Sequence, residues 1–140
     1  MNVLVACEYS GIVSEAFEDL GHHVVSCDLL PTERENKKNH YQGNVLDIIS
    51  HDWDLMIGHP PCTFLSYAGI GYFNIEKYGE KAIRRIYEKN KALEFFKTLW
   101  EAPIKHICLE NPKGFITKEI KQSQIIRINL FTIVPPVGCI

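Results

Sequence analysis

Short apolar runs alternate along the chain with longer amphipathic ones. Residues 2–7 (NVLVAC) are a continuous, β-branched apolar run and predict a buried strand. Past Gly11, residues Ile12, Val13, Ala16, Phe17 and Leu20 recur at helical spacing until Gly21 stops them. Residues 23–27 (HVVSC) predict a second strand ending at Asp28, and the polar residues 31–42 predict a loop. Residues 45–50 suit one or two helical turns, and residues 53–58 (WDLMIG) a third strand. A glycine- and aromatic-rich loop is expected over residues 66–74, then a long helix over residues 76–100. Its stripe is Ile83, Ile86, Tyr87, Asn90, Leu93, Phe96 and Trp100, and Pro103 closes it. Residues 105–109 (KHICL) predict another strand, and residues 118–121 a helical turn. Residues 124–134 (QIIRINLFTIV) are a candidate last strand, stopped by Pro135 and Pro136.

Strands alternating with helices predict one α/β domain, residues 1–140, built on a parallel sheet. The strand at residues 2–7 should be central, with that at 53–58 beside it and that at 105–109 outside the latter. In such sheets functional groups gather beyond the carboxyl ends of the strands. The residues there are Glu8, Tyr9, Ser10 and Gly11; then Asp28; then Asn44 and Asp47; then Pro60, Pro61 and Cys62; and last Glu110, Asn111 and Pro112.

Each has an ordinary structural reading beside a chemical one. The first turn is not GxGxxG, so it lends a dinucleotide site little support. Glu8 beside a helix start suits a cationic ligand group, because the carboxylate cancels the positive helix end; alternatively Ser10 caps the helix and Glu8 is solvated. Asp28 suits ribose hydroxyls or simply starts a loop, and Asp47 suits an adenine amino group or is a surface charge. Two prolines hold the approach to Cys62 extended and rigid. Its thiolate would be a strong nucleophile, whereas a cysteine under a loop is otherwise a small buried residue. Glu110 can donate or share a proton at the rim of an apolar site, or be a surface residue at a strand end.

Composition narrows the choice. A net charge of -2 lacks the basic excess of a self-sufficient DNA binder. The chain therefore acts on a small ligand, uses a local basic patch, or lacks the part that grips DNA. Five scattered cysteines without CxxC argue against a disulfide framework or zinc site, and with the absence of a signal peptide or spanning segment they predict a cytoplasmic protein. The histidine spacing offers no metal site.

Taken together, the strand-end residues resemble the DNA cytosine-C5 methyltransferase family, in a compact, phage-type form. Glu8-Tyr9-Ser10-Gly11 resembles the family's Asp-x-Phe-Ser-Gly cofactor turn, Asp28 its ribose acid, and Asn44 to Asp47 its adenine motif. His59-Pro60-Pro61-Cys62 resembles the Pro-Cys nucleophile loop, and Glu110-Asn111-Pro112 the Glu-Asn motif, all in family order. The resemblance implies a Rossmann-like, class I methyltransferase sheet that binds S-adenosylmethionine through Glu8, Tyr9, Ser10, Gly11, Asp28, Asp47 and Pro60. It further implies that Cys62 adds to C6 of cytosine in DNA, Glu110 holds N3, Asn111 orients the Cys62 loop and Pro61 helps position the base.

Departures from the family pattern set the alternatives. Thr63 stands where glutamine often follows the cysteine. After Phe115 there is no arginine pair and no target-recognition region, so residues 117–140 are a divergent tail and the sheet is expected to be incomplete at that edge. Residues 124–134 would then add a strand there or pair with a second copy as a homodimer. The competing functions are a degenerate, non-catalytic fold that binds cofactor or a partner, and a methyltransferase acting on free pyrimidine nucleotides.

Overall fold

Val3, Leu4, Val5 and Ala6 are fully buried at the centre of a five-stranded sheet in the computed structural model, which describes residues 1–121 and 123–124. Burial on both faces is why this strand reads as an unbroken apolar run. The strands are β1 (Asn2–Ala6), β2 (His23–Asp28), β3 (His40–Gln42), β4 (Leu55–Gly58) and β5 (His106–Leu109). All pair in parallel, in the order β3-β2-β1-β4-β5. The chain winds outward from β1 through β2 to β3, then crosses back to β4 and β5. The direction reverses between β1 and β4, the place where open α/β sheets leave a crevice.

The helices are α1 (Ile12–Asp19), α2 (Ile75–Tyr78), α3 (Glu80–Trp100) and α4 (Ile116–Glu119). Alternate residues of β1 face opposite sides of the sheet. Val3 and Val5 meet Val13 and Phe17 of α1, whereas Leu4 and Ala6 belong to the larger core with Phe96 and Leu99 of α3. The sheet is therefore covered on both faces, and β1, β4 and β5 take the relative positions expected of them.

Four expectations change. Residues 40–42 are not loop but a short parallel strand on β2, because His40, Tyr41 and Gln42 pair with Ser26, Cys27 and Asp28. Residues 67–73 carry a 3-10 helix, capped by the Ser66 hydroxyl accepting from the Ala68 amide. The long helix is split at Gly79, whose φ of 52° and ψ of -127° interrupt it. In the amino-terminal half of α3 only Ala82 is buried, and the carboxyl-terminal half supplies Phe96 and Leu99 to the main core. Ile83 and Tyr87 of the expected stripe are 56% and 61% exposed, because this end of the helix lies against α2 and the 3-10 helix of residues 67–73 and not on the sheet. Of residues 124–134, all but Gln124 lie outside the described residues; among these, β5 ends the sheet. No helix of the described residues is long and apolar enough to cross a membrane.

Candidate functional site

A cavity of about 320 Å³ opens at the carboxyl ends of the strands. Asp28 and Leu29 border it beyond β2, Val45 and Leu46 beyond β3, Pro61 beyond β4, and Phe95 reaches in from α3. The half-buried Asp28 accepts the Leu30 amide on Oδ1 at 2.9 Å, which fixes its carboxylate at the rim. Asn44, also at the rim, accepts the Leu46 amide on Oδ1 at 3.1 Å and so shapes the 3-10 turn Val45–Asp47. An apolar slot with one carboxylate and one side-chain amide at its edge suits a flat, hydroxyl-bearing group such as a nucleoside.

Cys7 and Cys27 also line this cavity. Burial, followed by the carboxylate of Asp28, pushes the Cys7 thiol up to about 12; burial and then Asp28 push Cys27 up to about 11. Both are protonated at neutral pH and serve as walls, not nucleophiles. Cys7 sits at φ 60°, a left-handed conformation that a residue with a Cβ seldom adopts, at the point where β1 ends.

Beyond Cys7 the first turn faces inward. Glu8 is 4% exposed, with Oε1 accepting the Val13 amide at 2.6 Å and Oε2 the Ser14 amide at 3.1 Å. It is thus the cap of α1, a task the helix's own N-cap, Gly11, cannot perform. Neither Ser10 capping α1 nor a solvated Glu8 describes this turn; the Ser10 hydroxyl reaches only the Ile12 amide, at 3.4 Å. Arg34 lies across Gly11 so closely that a Cβ there would collide with it, and is held by Glu18 at 2.7 Å. The Glu33 amide donates to the Tyr9 carbonyl at 2.9 Å. Residues 31–39 therefore fold over the turn, and none of Glu8, Tyr9, Ser10 or Gly11 lines the cavity. Asp47 is exposed outside it and accepts the Tyr41 hydroxyl at 3.3 Å; Pro60 is buried.

Cys62 and Glu110 leave the sheet from adjacent strands. Cys62 is exposed in the loop after β4. Glu110 follows β5, donates its amide to the Gly58 carbonyl at 2.9 Å and is half-buried. The two loops are joined backbone to backbone. Ser66 and Gly114 form an antiparallel bridge, the Phe115 amide donates to the Leu65 carbonyl at 2.7 Å, and the Tyr67 amide donates to the Lys113 carbonyl at 3.4 Å. The Asn111 side chain, expected to orient the Cys62 loop, makes no hydrogen bond to it. It is 7% exposed, and among the described residues neither its amide nitrogen nor its oxygen has a hydrogen-bond partner. The main chain of residues 113–115 instead bonds the Leu65 carbonyl and the Tyr67 amide.

Arg85 of α3 is a second clamp. Its Nη2 donates to the Thr63 carbonyl at 3.3 Å, and its guanidinium lies 5.2 Å from the rings of Phe64 and Phe73 and 5.6 Å from that of Tyr72. Such cation–ring contacts add to the hold on the residue after Cys62. Arg85, Gly114, Cys7 and Phe95 were all missed by sequence reasoning. The one available signal was the cluster of aromatic residues at positions 64–73 facing a basic helix. No family model, no curated protein and no solved structure matches the chain.

Proposed function

We propose that the chain transfers a methyl group from S-adenosylmethionine to C5 of cytosine, on a Rossmann-like sheet of the class I methyltransferase type. The observation that carries this reading is the joining of the Cys62 and Glu110 loops by the Leu65–Phe115 and Ser66–Gly114 contacts. An exposed thiol and a half-buried carboxylate, held on one rigid unit, are the two groups that a single pyrimidine ring needs.

The cavity bounded by Asp28, Leu46, Pro61 and Phe95 suits the adenosine part of the cofactor, with Asp28 accepting from the ribose hydroxyls. Asp47 and Pro60 lie outside that cavity's lining, so their part is the weaker of the set. The methionyl end would be held at the turn of residues 8–11, where Tyr9 is its exposed member. When bound, the cofactor supplies an electrophilic methyl group. Cys62 would add as thiolate to C6 of the ring, while Glu110 holds a proton at N3 and keeps negative charge from building up there. C5 thereby becomes nucleophilic; after transfer a base removes the C5 proton and Cys62 is expelled. Pro61 positions the base, and in duplex DNA the cytosine is first turned out of the stack.

The second reading is a non-catalytic cofactor- or partner-binding fold; the burial of Glu8 and the covering of Gly11 by Arg34 narrow the space for a methionyl group and favour its partner-binding form. Labelled methyl transfer to DNA and to deoxycytidine nucleotides, with wild type, Cys62→Ser and Glu110→Gln, decides between them. Activity abolished by Cys62→Ser supports transfer through a cysteine adduct, and the substrate labelled tells DNA from free nucleotide. Cofactor binding by calorimetry without any transfer leaves the binding fold. Equal binding by wild type and Asp28→Ala would remove Asp28 from the site.

A further inference from the structure

Apart from the buried Ala82, the amino-terminal half of α3 lies outside the core, yet it is rich in charge and lies beside the Cys62 loop. Residues 75–91 carry six lysines and arginines against three glutamates, in a chain whose net charge is -2. A second cavity, about 680 Å³, lies on this side of the molecule. Phe64, Tyr72 and Tyr78 supply aromatic walls; Lys81, Arg84 and Arg85 supply positive charge, with Glu88 the single acid among the described residues of the lining. Tyr72 is 57% exposed, and its ring lies 5.5 Å from that of Tyr78 at a 43° tilt. Lys81 and Arg84 are exposed.

We propose that this cavity is a groove for a single-stranded stretch of DNA, in which the phosphates meet Lys81 and Arg84 and an unstacked base lies on Tyr72. The choice of DNA over another polynucleotide rests on the methyl-transfer reading. Stacking platforms interleaved with cations are the physical requirement for holding unpaired nucleotides without reading their sequence. An acidic peptide would use the cations but would leave the rings of Tyr72 and Tyr78 facing water. Charge decides the location as well. Interactions between exposed charges fade beyond about 8–10 Å at physiological salt, so a polyanion approaching this acidic chain responds to a local positive cluster and not to the net charge. The groove is also mechanically tied to the nucleophile: Phe64, one of its walls, is two residues from Cys62, and Arg85, another, holds the Thr63 carbonyl. A strand seated there would therefore lie against the loop that carries the thiol.

The test is fluorescence anisotropy of the full chain with a labelled oligodeoxynucleotide of about 12 nucleotides, without cofactor and over a range of salt. Lys81→Ala with Arg84→Ala should weaken binding about tenfold or more and reduce the slope of log K against log salt by about 1.4, the value for two phosphate contacts on a single strand. Tyr72→Ala should weaken it at least about fivefold, as loss of one stacked base implies. Lys37→Ala with Lys38→Ala, an exposed basic pair elsewhere, should change it less than about twofold. All five positions are exposed, and circular dichroism checks that each variant is folded. No binding by the wild type overturns the groove. So does an equal loss in the Lys37 and Lys38 variant, an unchanged affinity without Lys81 and Arg84, or an unchanged affinity without Tyr72. Competition by polyglutamate at equal charge concentration would point instead to an acidic polypeptide and also overturns it. Cofactor calorimetry on the same samples separates the two readings: oligonucleotide binding without cofactor binding sinks methyl transfer and leaves the groove standing, and the reverse result does the opposite.

Discussion

Gly114 lies against the main chain of Leu65, with no room between them for a Cβ atom. Next to this contact the Phe115 amide donates to the Leu65 carbonyl at 2.7 Å, so the segment after Glu110 is fastened to the segment after Cys62. A methyl group on residue 114 would strike backbone, which cannot rotate aside as a flexible side chain can. Gly114→Ala should therefore destabilise the protein by about 1–3 kcal/mol, the usual range for overpacking. It should also open residues 62–74 to proteolysis. A melt and a limited trypsin digest measure both, and a variant with wild-type values for each would show that the two loops are not coupled through this contact.

Glu8 is expected to act on stability before it acts on any ligand. Both its carboxylate oxygens accept amides of the first turn of α1, and they do so at the positive end of the helix. Glu8→Ala leaves the Val13 and Ser14 amides without acceptors and should lower stability by about 1–3 kcal/mol. Glu8→Gln, which keeps one acceptor oxygen, should lose less. Urea titration of the three proteins orders them; equal midpoints would remove the carboxylate from the cap.

The cysteines should differ sharply in reactivity. Cys62 is exposed, whereas Cys7 is raised to about 12 and Cys27 to about 11, chiefly by burial. Iodoacetamide at pH 8 should modify Cys62 before Cys7 and Cys27, with peptide mass spectrometry reading the order. The same shift has a sign for stability. The folded state keeps the Cys7 proton above the pH at which the unfolded thiol, near 9.0, gives it up. Folded protein thus binds more protons, and stability falls as pH rises from about 9 towards 12. Cys7→Ser should flatten this alkaline loss, and an unchanged alkaline midpoint would contradict the shift.

Arg34 and Glu18 should produce the acid counterpart. A hydrogen bond from Arg34 holds the Glu18 carboxyl below the usual range, with burial opposing it. A lowered folded value means that the contribution is complete above the unfolded glutamate value, about 4.3, and is lost as pH falls through the folded one. Arg34→Met should remove that part of the acid dependence. Because Arg34 also covers Gly11, the variant should increase the proteolytic sensitivity of residues 31–39 at neutral pH. If the melting temperature of Arg34→Met fell with pH as the wild type's does, the pair would carry no linkage.

Periodicity and strand ends made the frame legible. The unbroken run at residues 2–7 marked the central strand, because a strand covered on both faces has no polar side to show. The polar residues closing each run marked the edge where Asp28, Pro61, Cys62 and Glu110 emerge, because only the chain beyond a strand is released from the sheet. Tertiary structure alone decided what each of those groups touches. Glu8 turned into α1, Arg34 crossed to Gly11, Arg85 reached the Thr63 carbonyl, and Gly114 met Leu65. These partners, except Glu8 and α1, stand more than twenty residues apart, and their meeting depends on loop paths that carry no period. The exposed stripe at Ile83 and Tyr87 fails for the same reason. A hydrophobic spacing tells which residues share a helix face, but whether that face meets the core depends on how far the sheet extends beneath it.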